Sequence, residues 1–236
     1  MHMRGHRPHD PPACRLKIDA LCGTIPMHKM GLINLLTRDP FAFVLLVIPL
    51  LYSVIIHEVA HGWVADKMGD PTAKWLGRLT LNPRVHIDPI GTIMLFIFGF
   101  GWAKPVPVNF ANLRDPRKGL ILVSSAGIIA NIAVAFLSFL VLRVLGPYIP
   151  SVAAQVLRTL AAINVMLAAF NLIPIPPLDG SKVLMGFASR EFQYSMSRIE
   201  PYGFFIIMGL LYFGFLNPVI RFLERAIVSF IALIIP

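Results

Sequence analysis

The sequence predicts an all-α polytopic membrane protein, a bundle of about four to six transmembrane helices with a short re-entrant or extended segment. Three observations predict it. Of the 236 residues, 56% are hydrophobic and only 14% charged, and the mean hydropathy of +0.72 lies outside the range of soluble domains. The apolar residues are gathered into windows close to the roughly 20 residues that cross a bilayer. The connections between windows are too short for the roughly 50 residues of a separate soluble domain, so residues 32–236 are expected to form a single polytopic membrane domain.

The elements follow in chain order. Residues 1–31 are rich in His, Pro and Arg and hold no apolar h-region, so they are not a signal peptide. They are expected to be a disordered tail or an over-extended start, with the natural start at Met27 or Met30. Cys14 and Cys22 lie in this tail without zinc spacing and are expected to be inert. The first span is Phe41–Ala65. Ile90–Phe100 is too short to cross as a standard helix and reads as a re-entrant segment or half a hairpin. Gly119–Leu142 and Thr159–Leu178 are the next spans. Tyr202–Ile220 is the fourth, followed by the shorter Ala226–Pro236. No internal repeat of the kind that marks many transporters is visible.

The formal net charge of +9 raises nucleic acid as a partner, but the basic residues lie in loops between apolar spans. The positive-inside rule accounts for them, and no nucleic acid is expected. Loop 67–118 carries Lys67, Lys74, Arg78, Arg84, Lys104, Arg114, Arg117 and Lys118, whereas loop 144–157 carries neither Lys nor Arg. The first loop is therefore cytoplasmic, and the first span runs from outside to inside. Arg4, Arg7, Arg15, Lys17 and Lys29 before that span oppose this orientation, and a start at Met27 or Met30 would remove most of the conflict.

Chemistry enters at Ile55–Asp66, "IIHEVAHGWVAD". His57 and His61 are four apart and share one helix face, so both imidazoles can hold one metal while Glu58 projects beside it. H-E-x-x-H is the zinc-peptidase signature, and ionisable groups inside a span are costly enough to point to function. Catalytic zinc takes three protein ligands and leaves a fourth position for water, so one ligand must come from elsewhere. Asp66, Asp70 and Asp88 sit among loop charges with Gly or Pro, where solvated turn residues are expected, and His86 is a weaker candidate for the same reason. Asp179 differs. In "FNLIPIPPLDG" it ends an apolar span just after Pro174, Pro176 and Pro177, which cannot continue a regular helix. Unwound backbone at membrane depth is tolerated where it is buried in protein or lines a cavity, which places an acid where it can meet His57 and His61.

Four ordered stretches, HEVAH, "GWAKPVPVN", "AGIIAN" and "FNLIPIPPLDG", together resemble the site-2 protease family of intramembrane zinc metalloproteases, in its short form without an inserted soluble domain. The resemblance covers about Leu32 to Val183. It implies one zinc ion per chain, held by His57, His61 and Asp179, with Glu58 as the catalytic base. It also implies that Asn171 faces the active site. The chain departs from the family's Gly-Pro-x-x-Asn at Gly127-Ile128-Ile129-Ala130-Asn131, a change that touches no implied ligand.

The chemistry expected of such a site is hydrolysis of a peptide bond by a water activated at neutral pH, with Glu58 taking its proton and passing it to the leaving amine. Asn171 is expected either to help hold the oxyanion or to bond between helices. Because a transmembrane helix hides its peptide bonds, a substrate must unwind before attack. Pro105 and Pro107 impose extended geometry on Trp102–Asn109, which serves either as an edge for an added substrate strand or as a plain connector. Lys104 and Asn109 within it are candidate contacts to substrate or transition state. The small residues Ala126, Gly127 and Ala130 suit close helix packing.

The function expected is intramembrane proteolysis of membrane-protein or signal-peptide-remnant substrates, by a multi-pass protein of the prokaryotic cytoplasmic membrane. With no inserted domain in the covered region, any filtering of substrates requires a separate regulatory protein. The competing classes are a membrane metal-ion transporter, which has no use for Glu58 between zinc-spaced histidines, and a non-catalytic zinc-binding adaptor, whose structural site would close all four positions.

Overall fold

The computed structural model describes residues 32–98 and 101–235. The segment 1–31, with Cys14, Cys22 and the question of the start, lies outside the described residues. Among those described, the secondary structure is entirely helical.

A short helix α1 (Leu32–Arg38) leads into α2 (Pro40–Met68), the first span. Asp39 caps α2 by accepting from the Ala42 N–H at 2.9 Å, and Pro40 stands in the first turn, where a missing N–H costs nothing. At 29 residues α2 is about 43 Å long, more than a bilayer core requires. The single turn α3 (Thr72–Trp75) follows.

Helix α4 (Pro89–Phe98) is only 10 residues, about 15 Å, half the hydrocarbon thickness. The chain then doubles back: a Cβ at Gly91 would lie 2.2 Å from the Trp102 carbonyl oxygen, and one at Gly101 2.2 Å from that of Gly91. Glycine at both positions lets the two backbones touch, and the expected half-hairpin results.

Helix α5 (Pro116–Leu145) begins at the Asp115 cap, whose carboxylate accepts from the N–H groups of Arg117 and Lys118, both at 3.1 Å. Those bonds, together with the Lys118 charge, hold the Asp115 carboxyl below its ordinary value despite desolvation. Helix α6 (Ser151–Asn171) returns across the membrane. It ends where the prolines begin, so the span expected at Thr159–Leu178 lies further toward the N-terminus. Residues 172–178 are a non-helical turn, as Pro174, Pro176 and Pro177 require.

Helix α7 (Asp179–Phe187) packs on α5, and α8 (Arg190–Ile199) follows it. The region expected as one span, Tyr202–Ile220, is instead divided between α9 (Gly203–Tyr212) and α10 (Asn217–Ile234), with a bend of 91° between the helical stretch Arg190–Tyr212 and α10. Gly214 causes the break. It adopts φ +76°, ending α9 with the Phe215 N–H on the Leu210 carbonyl, and Pro218 then opens α10. Three helices, α2, α5 and α6, are long and apolar enough to cross singly, and the bent pair makes up to four spans.

The core lies between α5, α6 and α10, where Ala135, Ala161, Ala168 and Ala169 are fully buried beside Phe139, Val165 and Ile231. Small side chains let membrane helices approach closely without a hydrophobic driving force. Large apolar residues such as Ile48, Ile129 and Leu137 point outward, as a lipid-facing surface requires.

Candidate metal centre

His57 and His61 lie on adjacent turns of α2, facing α5, and both are buried. Asp179 is brought to them by the proline-interrupted turn that leads into α7. The Nε2 atoms of His57 and His61 are 3.0 Å apart, and the Asp179 Oδ2 stands 3.0 Å from the first and 3.1 Å from the second. Among the described residues, this is the group of His, Cys, Asp and Glu side chains with geometry to hold a metal ion.

The donor set fits zinc. Tetrahedral ligands about 2.0–2.1 Å from zinc stand about 3.3 Å apart, near the separations observed. The Nδ1 of His61 lies 2.7 Å from the Val123 carbonyl oxygen. A carbonyl only accepts, so Nδ1 carries the proton and Nε2 presents its lone pair inward. That lone pair and the carboxylate oxygen of Asp179 are both acceptors at close range, an arrangement a shared cation stabilises. The Asp179 Oδ2 is buried with no hydrogen-bond donor among the described groups.

Space for the two imidazoles comes from Gly127 on α5. A Cβ there would lie 2.5 Å from His57 Cε1 and 2.5 Å from His61 Nε2. Gly127 in the small-residue stretch does permit close packing, here against the His57 and His61 rings.

Glu58 is half-buried and its Oε2 accepts the Val106 N–H at 2.8 Å. The extended segment 101–109 is thereby tied to the site. Lys104 donates its N–H to the His86 carbonyl at 2.8 Å, and the buried Arg78 Nη2 donates to the carbonyls of Lys104 and Pro105 at 2.7 and 3.3 Å. Pro105 and Pro107 have no N–H, so between 104 and 107 the segment can meet a substrate strand only through carbonyl oxygens.

The remaining expected residues fall as follows. The Lys104 side chain is exposed. The Asn109 side chain accepts the Ala111 N–H at 3.1 Å, capping a short 3-10 turn. Asn171 ends α6 with Nδ2 donating to its own Leu167 carbonyl at 3.0 Å. The backbone just after it, at Leu172 and Ile173, backs directly onto Gly180, the residue after Asp179. His86 is fully buried away from the centre, its Nε2 on the Thr80 carbonyl at 2.8 Å.

Asp70 corrects an expectation. Instead of a solvated turn residue, it is fully buried, accepting from the Thr72 N–H and hydroxyl, the Asn112 amide and, at 2.7 Å, the Asn109 N–H. Burial opposes its ionisation, but the bonds from Thr72, Asn112 and Asn109 outweigh it and hold the carboxyl below its ordinary value. Two of the four donors, from Asn109 and Asn112, come from residues some 40 positions away, and nothing adjacent to Asp70 in sequence announced those.

Residues 146–213, which include Asn171 and Asp179, match the profile of Peptidase family M50. The chain is 41% identical over 172 residues to a Bacillus subtilis (strain 168) protein that bears the provisional designation zinc metalloprotease YwhC, covering 70% of this chain and 78% of that one. It is 30% identical to Rip2 of Mycolicibacterium smegmatis, covering 74% and 69%, and 32% identical to MJ0611 of Methanocaldococcus jannaschii, covering 60% and 70%; both carry the same provisional designation. No solved structure matches the chain.

Proposed function

The chain belongs to peptidase family M50, the site-2 proteases, and from that premise we propose that it is a zinc metalloendopeptidase in which His57, His61 and Asp179 hold one zinc ion and Glu58 is the general base. One observation carries the assignment: ligand atoms from residues 57, 61 and 179 converge in a buried triangle about 3 Å on a side. Its substrates are membrane-embedded helices, either of membrane proteins or of signal-peptide remnants, and its place is the cytoplasmic membrane of a prokaryote.

Zinc, when bound, supplies Lewis-acid activation of water and of the scissile carbonyl. The chain supplies the rest. Glu58 accepts the proton of the attacking water and delivers it to the departing amine nitrogen. The Val106 N–H fixes one carboxylate oxygen and leaves the other for the proton. The Val123 carbonyl keeps His61 in the tautomer that ligates through Nε2. Asn171 uses one amide N–H on Leu167, and its second is the donor offered to the oxyanion. The neighbouring extended segment receives the unwound substrate through its carbonyl oxygens, and a separate protein regulates access.

Glu58→Gln tests the reading, assayed in proteoliposomes against a tagged single-span substrate with Gly and Pro in its transmembrane helix. The expected variant keeps zinc and loses cleavage. Retained cleavage removes Glu58 as the base, and zinc transport by wild type without cleavage returns the transporter reading.

A further inference from the structure

The two histidines are supported unequally. His61 donates Nδ1–H to Val123 at 2.7 Å, while the Nδ1 of His57 is buried with no partner among the described groups. Metal-binding imidazoles are oriented by the bond their other nitrogen makes, and a buried polar atom without a bond calls for a partner such as ordered water.

Asn131 has the same deficit. It is fully buried, and neither its Oδ1 nor its Nδ2 has a hydrogen-bond partner. Its place follows from register. His61 meets Val123, and His57 meets Gly127 one turn further along α5, so the helices run antiparallel there. Val123, Gly127 and Asn131 therefore form one buried stripe alongside the imidazoles, with Asn131 about 6 Å beyond Gly127.

Helical side chains lean toward their own N-terminus. Asn131 on α5 thus leans back toward the level of Gly127, where the His57 and His61 rings pack. His57 leans the opposite way, along α2 toward the level of Asn131. The third wall is α6, where Asn164 donates Nδ2 to the Ser53 Oγ at 2.7 Å, Ser53 lying one turn before His57. The Oδ1 of Asn164 is also buried without a partner.

We propose that Asn131 is a positioning residue for His57: one buried water accepts the His57 Nδ1–H and donates to Oδ1 of Asn131 and Oδ1 of Asn164. Three bonds are what a buried water usually makes. The bridge fixes His57 in the tautomer that presents Nε2, doing through water what the Val123 carbonyl does directly for His61. The proposal rests on His57 being a metal ligand.

The test is zinc affinity of detergent-purified protein, measured by competition with a chelator, alongside thermal melting of the metal-free forms. Asn131→Leu is expected to bind zinc about 10–100-fold more weakly with an unchanged metal-free Tm. Asn131→Asp, which keeps an acceptor oxygen, is expected to recover most of that affinity. Ser138→Ala, a buried α5 residue bonded to its own helix at Val134, should match wild type. Should Asn131→Leu fail to fold, Asn131→Ala carries the same expectation. Wild-type affinity in the Leu or Ala variant overturns the proposal, as does an affinity loss that Asp does not rescue and that tracks a fall in metal-free Tm. Wild type that binds no zinc overturns the metal centre itself, and with it this proposal.

Discussion

Gly127 is where a single atom separates the proposed metal centre from an ordinary helix contact. Alanine there would set a methyl 2.5 Å from both imidazoles, so Gly127→Ala is expected to reduce zinc content strongly. Metal analysis of folded variant checks it, and full zinc would mean that α5 can retreat. Asn171→Ala is expected to keep zinc and lose about 10²-fold in kcat, the usual cost of one oxyanion donor; unchanged turnover would confine Asn171 to its bond with Leu167. At this scale the sequence was most legible where chemistry demands particular side chains at fixed spacing. HEVAH names two ligand candidates and an acid by residue type alone, and the prolines before Asp179 mark where the helix must stop. The Val123 carbonyl and the Val106 N–H were not legible. They are backbone groups, identical in every residue, and only the fold selects which of them faces His61 or Glu58.

Between elements, Asp70 joins the end of α2 to the 109–112 turn and so anchors the far end of the extended segment whose Val106 holds Glu58. Asp70→Asn is expected to destabilise the protein by about 1–3 kcal/mol, the range for unsatisfied buried donors. The pH dependence has a definite sign. Because the folded carboxyl titrates below its ordinary value, its contribution is complete above about pH 4 and is lost as pH falls further. The stability gap between wild type and Asp70→Asn, measured by thermal melting, should therefore narrow on acidification below that point; a gap that widens would contradict the assigned bonds. Hydropathy located α2 and α5 well because both are continuous apolar helices. It missed the break at 213–216 because Phe213, Phe215 and Leu216 are as apolar as the helices around them, and Gly214 ends α9 through backbone conformation.

Across the whole molecule, the proposed metal centre lies nearer the C-terminal end of α2 than its N-terminal end. His61 and His57 are about 10 and 16 Å from the end of α2 that leads into the basic loop 67–118. A membrane-impermeant chelator should strip zinc from inside-out vesicles and spare right-side-out ones; the reverse would invert the topology. The bilayer orientation and the one-domain organisation are expectations drawn from charge and hydropathy, whereas the position of the site along α2 required the helix bounds. The account stands on three distant residues forming one centre, and metal stoichiometry on detergent-purified wild type, His57→Ala and Asp179→Ala tests this without a known substrate. About one zinc per wild-type chain, lost in both variants, is expected. Folded wild type without zinc, or zinc retained at full stoichiometry in Asp179→Ala, would contradict it.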